Sequence, residues 1–210
     1  PNGIDLHRFA SIPPLDPAPH PLRIGAVLRI VPIKDVKTML YSFHRIKAVR
    51  PDATLDLIGP YDEDPDYYQE CQELIRRLGC PDVRFVGRAD VTQWLPKLDL
   101  VILTSISEGQ PFVLLEAMAA HRPVVATNVG ACREIIEGAG DGLGPAGRVV
   151  PVMSPPPSQT TFWPSAAARP SCGRWRKTAT AGSSAFIRIR TFWRPTGPST
   201  GKPYNRKIGR

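Results

Sequence analysis

No run of eighteen apolar residues occurs in this 210-residue sequence, so it offers no membrane-spanning helix. Its start, PNGIDLHRFA, lacks the basic stretch and apolar core of a secretory signal. It also lacks an initiator methionine, so an origin inside a longer protein is expected. Four cysteines, Cys71, Cys80, Cys132 and Cys172, form no C-x-x-C pair and no metal-ligand spacing. Reduced thiols in a cytoplasmic protein are the expected state. No G-x-G-x-x-G follows the first apolar strand, which disfavours a nicotinamide-dependent enzyme, and the absence of G-x-x-x-x-G-K-[ST] rules out a P-loop nucleotidase.

Absences also divide the chain. Residues 154–210 contain no Asp, Glu, Leu or Val, but 11 Lys and Arg, eight prolines and three of the four tryptophans. Residues 1–153 carry 16 Lys and Arg against 19 Asp and Glu, with 16 Leu and 15 Val. The overall charge of +8 therefore belongs to the tail and says little about what the rest binds. Ordinary disordered tails are poor in aromatics and rich in Glu, which this one is not. We expect an irregular basic tail that arises from translation out of frame near codon 153; the DNA across Val152–Pro157 decides this. A genuine basic tail with interleaved aromatics would instead suit single-stranded nucleic acid.

What remains is an alternation of short apolar runs and amphipathic stretches. Strands are expected at 22–28, 53–59, 83–87, 99–105, 123–128 and 147–152, and helices at 35–49, 64–79, 90–98, 111–121 and 132–138. Asp35 is a cap for the first helix, Gly79 a stop for the second, and Pro111 stands at a favourable first position. This pattern predicts an α/β fold, a doubly wound parallel sheet of Rossmann-like type. The boundaries are a lead-in of residues 1–21, a domain of 22–153 and the tail of 154–210.

Ligands of such sheets bind outside the carboxyl ends of the strands, which singles out the loops. RIVPIK places Arg29 and Lys34 where a helix begins: a diphosphate site, or two solvated surface charges. SISEGQP places Glu108 on the rim of the same cleft, with Gly109 for close backbone approach and the amides of Phe112 and Val113 open to a phosphate, Pro111 having none. Glu116 lies five residues beyond Pro111, about 7.5 Å along the helix axis. The two glutamates are thus no acid–base dyad. They are spaced for two parts of one long ligand, or are a capping and a surface residue. Gly130 and Ala131 keep the last loop small, and Glu134 reads as structural. His44 and His121 read as surface residues. DEDPD (62–66) resembles a metal cluster but reads better as a solvated loop that caps the next helix.

In order along the chain, PNGIDLHRF, LRIVPIKD, RFVG, SEGQPFVLLEAMAA and PVVATNVGACREII resemble the C-terminal, donor-binding half of retaining glycosyltransferases of family 4, with the GT-B fold, over about residues 1–153. The variants VPIKD, TSISEGQP and VGACREIIEG look most like those of Pel exopolysaccharide synthesis. The resemblance implies that Arg29 and Lys34 hold the donor diphosphate, and that Glu108, first of an E-x7-E motif, stands by the transferred sugar. Glu116 would hold the ribose hydroxyls. Backbone amides across Gly109, Gln110, Pro111, Phe112 and Val113 would meet sugar and phosphates, and Phe85, Val86, Gly87 and Arg88 would lie near the nucleobase. It implies a UDP-linked donor, UDP-glucose first, with no metal required and no other cofactor. It further implies an acceptor-side domain that precedes PNGID, a polysaccharide-synthesis membrane complex as partner, and no nucleic acid. Two departures stand out: Leu28, where the family often has Gly, crowds the start of the first loop, and Pro111 removes one amide. The alternatives from other classes are a non-catalytic interaction module with a nucleic-acid- or anionic-surface-binding tail, and an epimerase or phosphorylase of the same architecture.

Overall fold

The structure, a computed structural model, describes residues 3–16, 20–138 and 145–153. Tail residues 154–210, and the out-of-frame expectation with them, lie outside the described residues.

Six strands form one parallel sheet in the order β3-β2-β1-β4-β5-β6. They are β1 (Arg23–Val27), β2 (Thr54–Ile58), β3 (Val83–Gly87), β4 (Leu100–Leu103), β5 (Val124–Thr127) and β6 (Gly147–Val150). The order runs outward one way from β1 to β3 and the other way from β4 to β6, so the chain switches direction between β1 and β4. Crevices at such a switch point are where open α/β sheets hold ligands. The expected doubly wound architecture is therefore the observed one.

Both faces of the sheet are covered, which is why its strands read as continuous apolar runs rather than alternating ones. In β4, Val101 and Leu103 join a core with Leu114, Ala117, Met118 and Ile136, while Leu100 and Ile102 face the opposite core with Ile24, Leu55, Met39 and Phe43. Helix α1 (Val36–Val49) buries Val36, Met39, Leu40 and Phe43, the i, i+3, i+4, i+7 stripe. It starts at Asp35, whose carboxylate accepts from the Thr38 amide at 3.2 Å from a left-handed backbone of φ 46°. Aspartate tolerates that region better than most side chains. Helix α2 (Pro65–Leu78) is capped by Asp64 and closed by Gly79. Both caps fall where the sequence puts them.

The helix expected over 90–98 is broken in two, α3 (Val91–Trp94) and a 3₁₀ turn Leu95–Lys97. Pro96 has no amide to continue the ladder. A second unexpected 3₁₀ turn, Pro32–Lys34, sits inside the β1–α1 loop. Helices α4 (Phe112–Ala119) and α5 (Cys132–Glu137) follow β4 and β5. The lead-in is tied down as well: Ile4, Phe9 and Ile12 are buried in the α4–α5 core. The buried Arg122 guanidinium donates to the carbonyls of Leu95, Pro96 and Pro13.

Candidate donor site

At the carboxyl ends of β1, β2 and β3 lies an open cleft of about 470 Å³, lined in part by Leu28, Arg29, Lys34, Gly59, Pro60 and Arg88. Three cations thus face one crevice. Gly59 shapes its floor: at φ 142°, a Cβ there would stand 2.0 Å from the Leu28 carbonyl oxygen. Only glycine lets β1 and β2 lead their loops out this closely. Leu28 turns into the α1–α2 core, where it is 6% exposed, while also lining the cleft.

Each cation is held by a carboxylate. Arg29 Nη1 donates to Glu63 Oε2 at 2.9 Å, and Arg88 Nη2 to Asp62 Oδ1 at 3.3 Å. The acidic loop Asp62–Asp64 is therefore shared between two arginines and the cap of α2, where Asp64 accepts from the Tyr67 amide. This agrees with the capping reading of DEDPD.

Lys34 reaches across the switch point. Its Nζ donates to Glu108 Oε1 at 2.5 Å, and the Ser105 hydroxyl donates to the same oxygen at 2.6 Å. Glu108, expected from its loop position on the rim of the cleft, is ion-paired, with a side chain 11% exposed. The β4–α4 loop that carries it is fastened on both sides. The Ile106 amide donates to Ile33 O, the Thr127 hydroxyl to Ser105 O, and the Ala131 amide to Gly109 O. Thr104 donates to the carbonyls of Lys34 and Asp35. The sequence reading missed Thr104, Ser105 and Thr127. Hydroxyls at the carboxyl end of a wholly apolar strand, as in VILTS, are the signal that marks them.

Beyond this loop, α4 begins at Pro111 with no side chain capping it, and Phe112 is exposed. Gly109 is exposed, Gln110 and Val113 are half-buried, and Pro111 is buried. The residues expected near a nucleobase divide. Arg88 lines the cleft, and Gly87 bridges to Gly59. Phe85 packs edge-on against Tyr68 at 4.8 Å, and Val86 packs on the α4–α5 core. His44 is exposed as expected, whereas His121 is half-buried with φ 59°.

Glu116, on α4, makes no side-chain hydrogen bond or ion pair among the described residues. Burial pushes its carboxyl above the usual glutamate value of 4.5, opposed weakly by Arg8. A raised pKa means that the folded state holds the proton more tightly than the unfolded one. The ionised form therefore weakens the fold at neutral pH, and the penalty vanishes below the usual glutamate range. Glu116→Gln is expected to stabilise the protein at pH 7 by roughly 0.5 kcal/mol, with no gain near pH 4. If the carboxylate accepts from ligand hydroxyls, the same variant loses about tenfold in nucleotide affinity. Thermal melts at both pH values, with calorimetry, check the pair of effects.

The family model described as "Glycosyl transferases group 1" matches residues 21–155. The chain belongs to this family. Among curated glycosyltransferases, it is 31% identical over 159 residues to a phosphatidyl-myo-inositol mannosyltransferase of Mycolicibacterium smegmatis, covering 72% of this chain and 38% of that one. Among solved structures it resembles the C-terminal domain of the group 1 glycosyltransferase LpcC from Francisella tularensis (27% identity, TM-score 0.59, 72% and 82% of the chains). It also resembles Anabaena HepE in complex with UDP and glucose (26% identity, TM-score 0.60, 73% and 42%). The chain spans less than half the length of the curated relatives it matches. Group 1 glycosyltransferases of the GT-B type share this parallel six-stranded arrangement, and the likeness falls on their C-terminal domain. No helix among the described residues is long and apolar enough to cross a membrane.

Proposed function

We propose that this chain is the donor-binding half of a family 4 retaining glycosyltransferase. It takes a UDP-linked sugar, with UDP-glucose as first choice, in cytoplasmic exopolysaccharide synthesis of the Pel type. The observation that carries the reading is the convergence of Arg29, Lys34 and Arg88 on one cleft at the carboxyl ends of β1, β2 and β3, from which Lys34 reaches across the switch point to Glu108. Breaking a sugar–phosphate bond builds negative charge on the departing diphosphate. Fixed cations and helix amides stabilise such charge without reorganising. Arg29 and Lys34 are assigned to the diphosphate, Glu108 to the transferred sugar, and Glu116 to the ribose. The amides of Gly109, Gln110, Phe112 and Val113 are assigned to sugar and phosphates, and Gly87 and Arg88 to the base-side rim. The structural likeness to a protein that holds UDP and glucose supports the choice of donor. No metal is assigned a role, because the cations of the chain already meet the diphosphate. The acceptor side belongs to a preceding domain, so this chain alone binds donor weakly and transfers nothing.

Titration calorimetry of the full chain with UDP and UDP-glucose tests this. Weak saturable binding, tighter for the sugar nucleotide and indifferent to EDTA, is expected. No heat at about 1 mM ligand, in a sample shown to be folded by circular dichroism, overturns it.

A further inference from the structure

We propose that Ser105 is a positioning residue: together with Lys34 it locks one oxygen of Glu108, so that the other oxygen is the one offered to the donor sugar. The inference rests on the donor-binding reading above and goes beyond it by assigning a residue that touches no donor.

Both bonds to Glu108 end on the same atom. Lys34 Nζ and Ser105 Oγ donate to Oε1 at 2.5 and 2.6 Å. A carboxylate offers about four acceptor positions over its two oxygens. Oε2 has no partner among the described residues, and it is not one of the polar atoms sealed away from solvent without a partner. A single bond would let the carboxylate swing about its terminal torsion, which is broad in glutamate. Two bonds from different segments fix it. Lys34 comes from the β1–α1 loop and Ser105 from the end of β4.

The donors are themselves fixed. Ser105 is 0% exposed, and its carbonyl accepts from the Thr127 hydroxyl of β5 at 2.6 Å. Thr104, its neighbour, holds the backbone of Lys34 and Asp35 at 3.0 and 2.9 Å. Two adjacent hydroxyl residues at the end of β4 therefore set both partners of Glu108. With no exposed surface, Ser105 acts on the ligand only through Glu108, and Oε2 is left to accept from a sugar hydroxyl.

The test compares UDP with UDP-glucose, UDP-galactose and UDP-N-acetylglucosamine by calorimetry on the full chain, for wild type, Ser105→Ala, Glu108→Gln and the double variant, each checked for folding by thermal melt. We expect Ser105→Ala to keep UDP affinity within about twofold and to lose about fivefold or more of the extra affinity for the preferred sugar nucleotide. In the Glu108→Gln background it should cost nothing further, because a residue that works through another gives no additive loss. An equal loss for UDP and UDP-sugars marks a merely structural serine and overturns the proposal. So does a Ser105→Ala variant that binds like wild type, or full additivity with Glu108→Gln. If wild type binds UDP and every UDP-sugar equally, the inference falls and the nucleotide reading stands. If wild type binds none of them, both fall.

Discussion

Replacing Lys34 with methionine is expected to abolish measurable UDP binding and to destabilise the protein by about 2–4 kcal/mol, and adding Glu108→Leu restores the stability but not the binding. The side chains of Lys34 and Glu108 are 18% and 11% exposed, so water does little to screen or replace their contact. Removing the cation leaves a largely buried carboxylate held by one serine hydroxyl, and most of the cost is that uncompensated charge. Removing both charges with apolar residues of similar volume relieves it. Binding follows a different logic, because Lys34 also lines the cleft assigned to the diphosphate. Urea unfolding and calorimetry on the two variants separate the roles. Recovery of UDP affinity in the double variant would make Lys34 only a counter-ion to Glu108. Arg29 supplies the contrast: its bond to Glu63 joins side chains 55% and 33% exposed, and such pairs contribute at most about 1 kcal/mol.

The sequence carried the sheet because a buried parallel strand leaves a mark that survives translation into pattern: VILTS, TLDLI and PVVATN are short, β-branched and bounded by turn residues. It carried α1 and α2 because Asp35, Asp64, Pro65 and Gly79 punctuate them. It did not carry the lead-in's packing, since Ile4, Phe9 and Ile12 follow no single period and are buried only by what lies against them. At the site, Arg29, Lys34 and Glu108 were legible as charges in the loops after strands, and Glu116 as a carboxylate on the helix that follows. How they are engaged was not. Lys34 and Glu108 are 74 residues apart, and nothing local to either says that they pair. Serine and threonine were passed over for a related reason: their roles at a strand end depend on which carbonyl or carboxylate the fold brings to them. The same holds for the nucleobase expectation, where strand alternation sends Phe85 and Val86 to opposite faces and leaves Arg88 to the cleft.

Two glycines that read alike in sequence, Gly109 and Gly130, separate sharply in structure, and alanine at each should show it. A Cβ on Gly109 meets nothing within 4 Å, whereas one on Gly130 would stand 2.1 Å from the Glu108 carbonyl oxygen and 2.4 Å from that of Gly109. Both obstacles are backbone, and neither can turn aside as a side chain would. Gly130 also has φ 50°, a region that costs alanine about 1 kcal/mol before any clash. The small residue is needed because the β5–α5 turn lies directly on the β4–α4 loop, where the Ala131 amide donates to Gly109 O at 2.9 Å. Gly130→Ala must push the two loops apart, and it loses that bond together with the placement of Glu108. We expect a loss of about 3–5 kcal/mol, and, in whatever fraction remains folded, loss of the preference for UDP-glucose over UDP. Gly109→Ala should stay within about 0.5 kcal/mol of wild type. Urea melts of both variants, with calorimetry below the transition, read the two effects. A Gly130→Ala protein as stable as Gly109→Ala would mean that the two loops are not in contact in solution. The fixed position of Glu108 would then have no support from the β5 side.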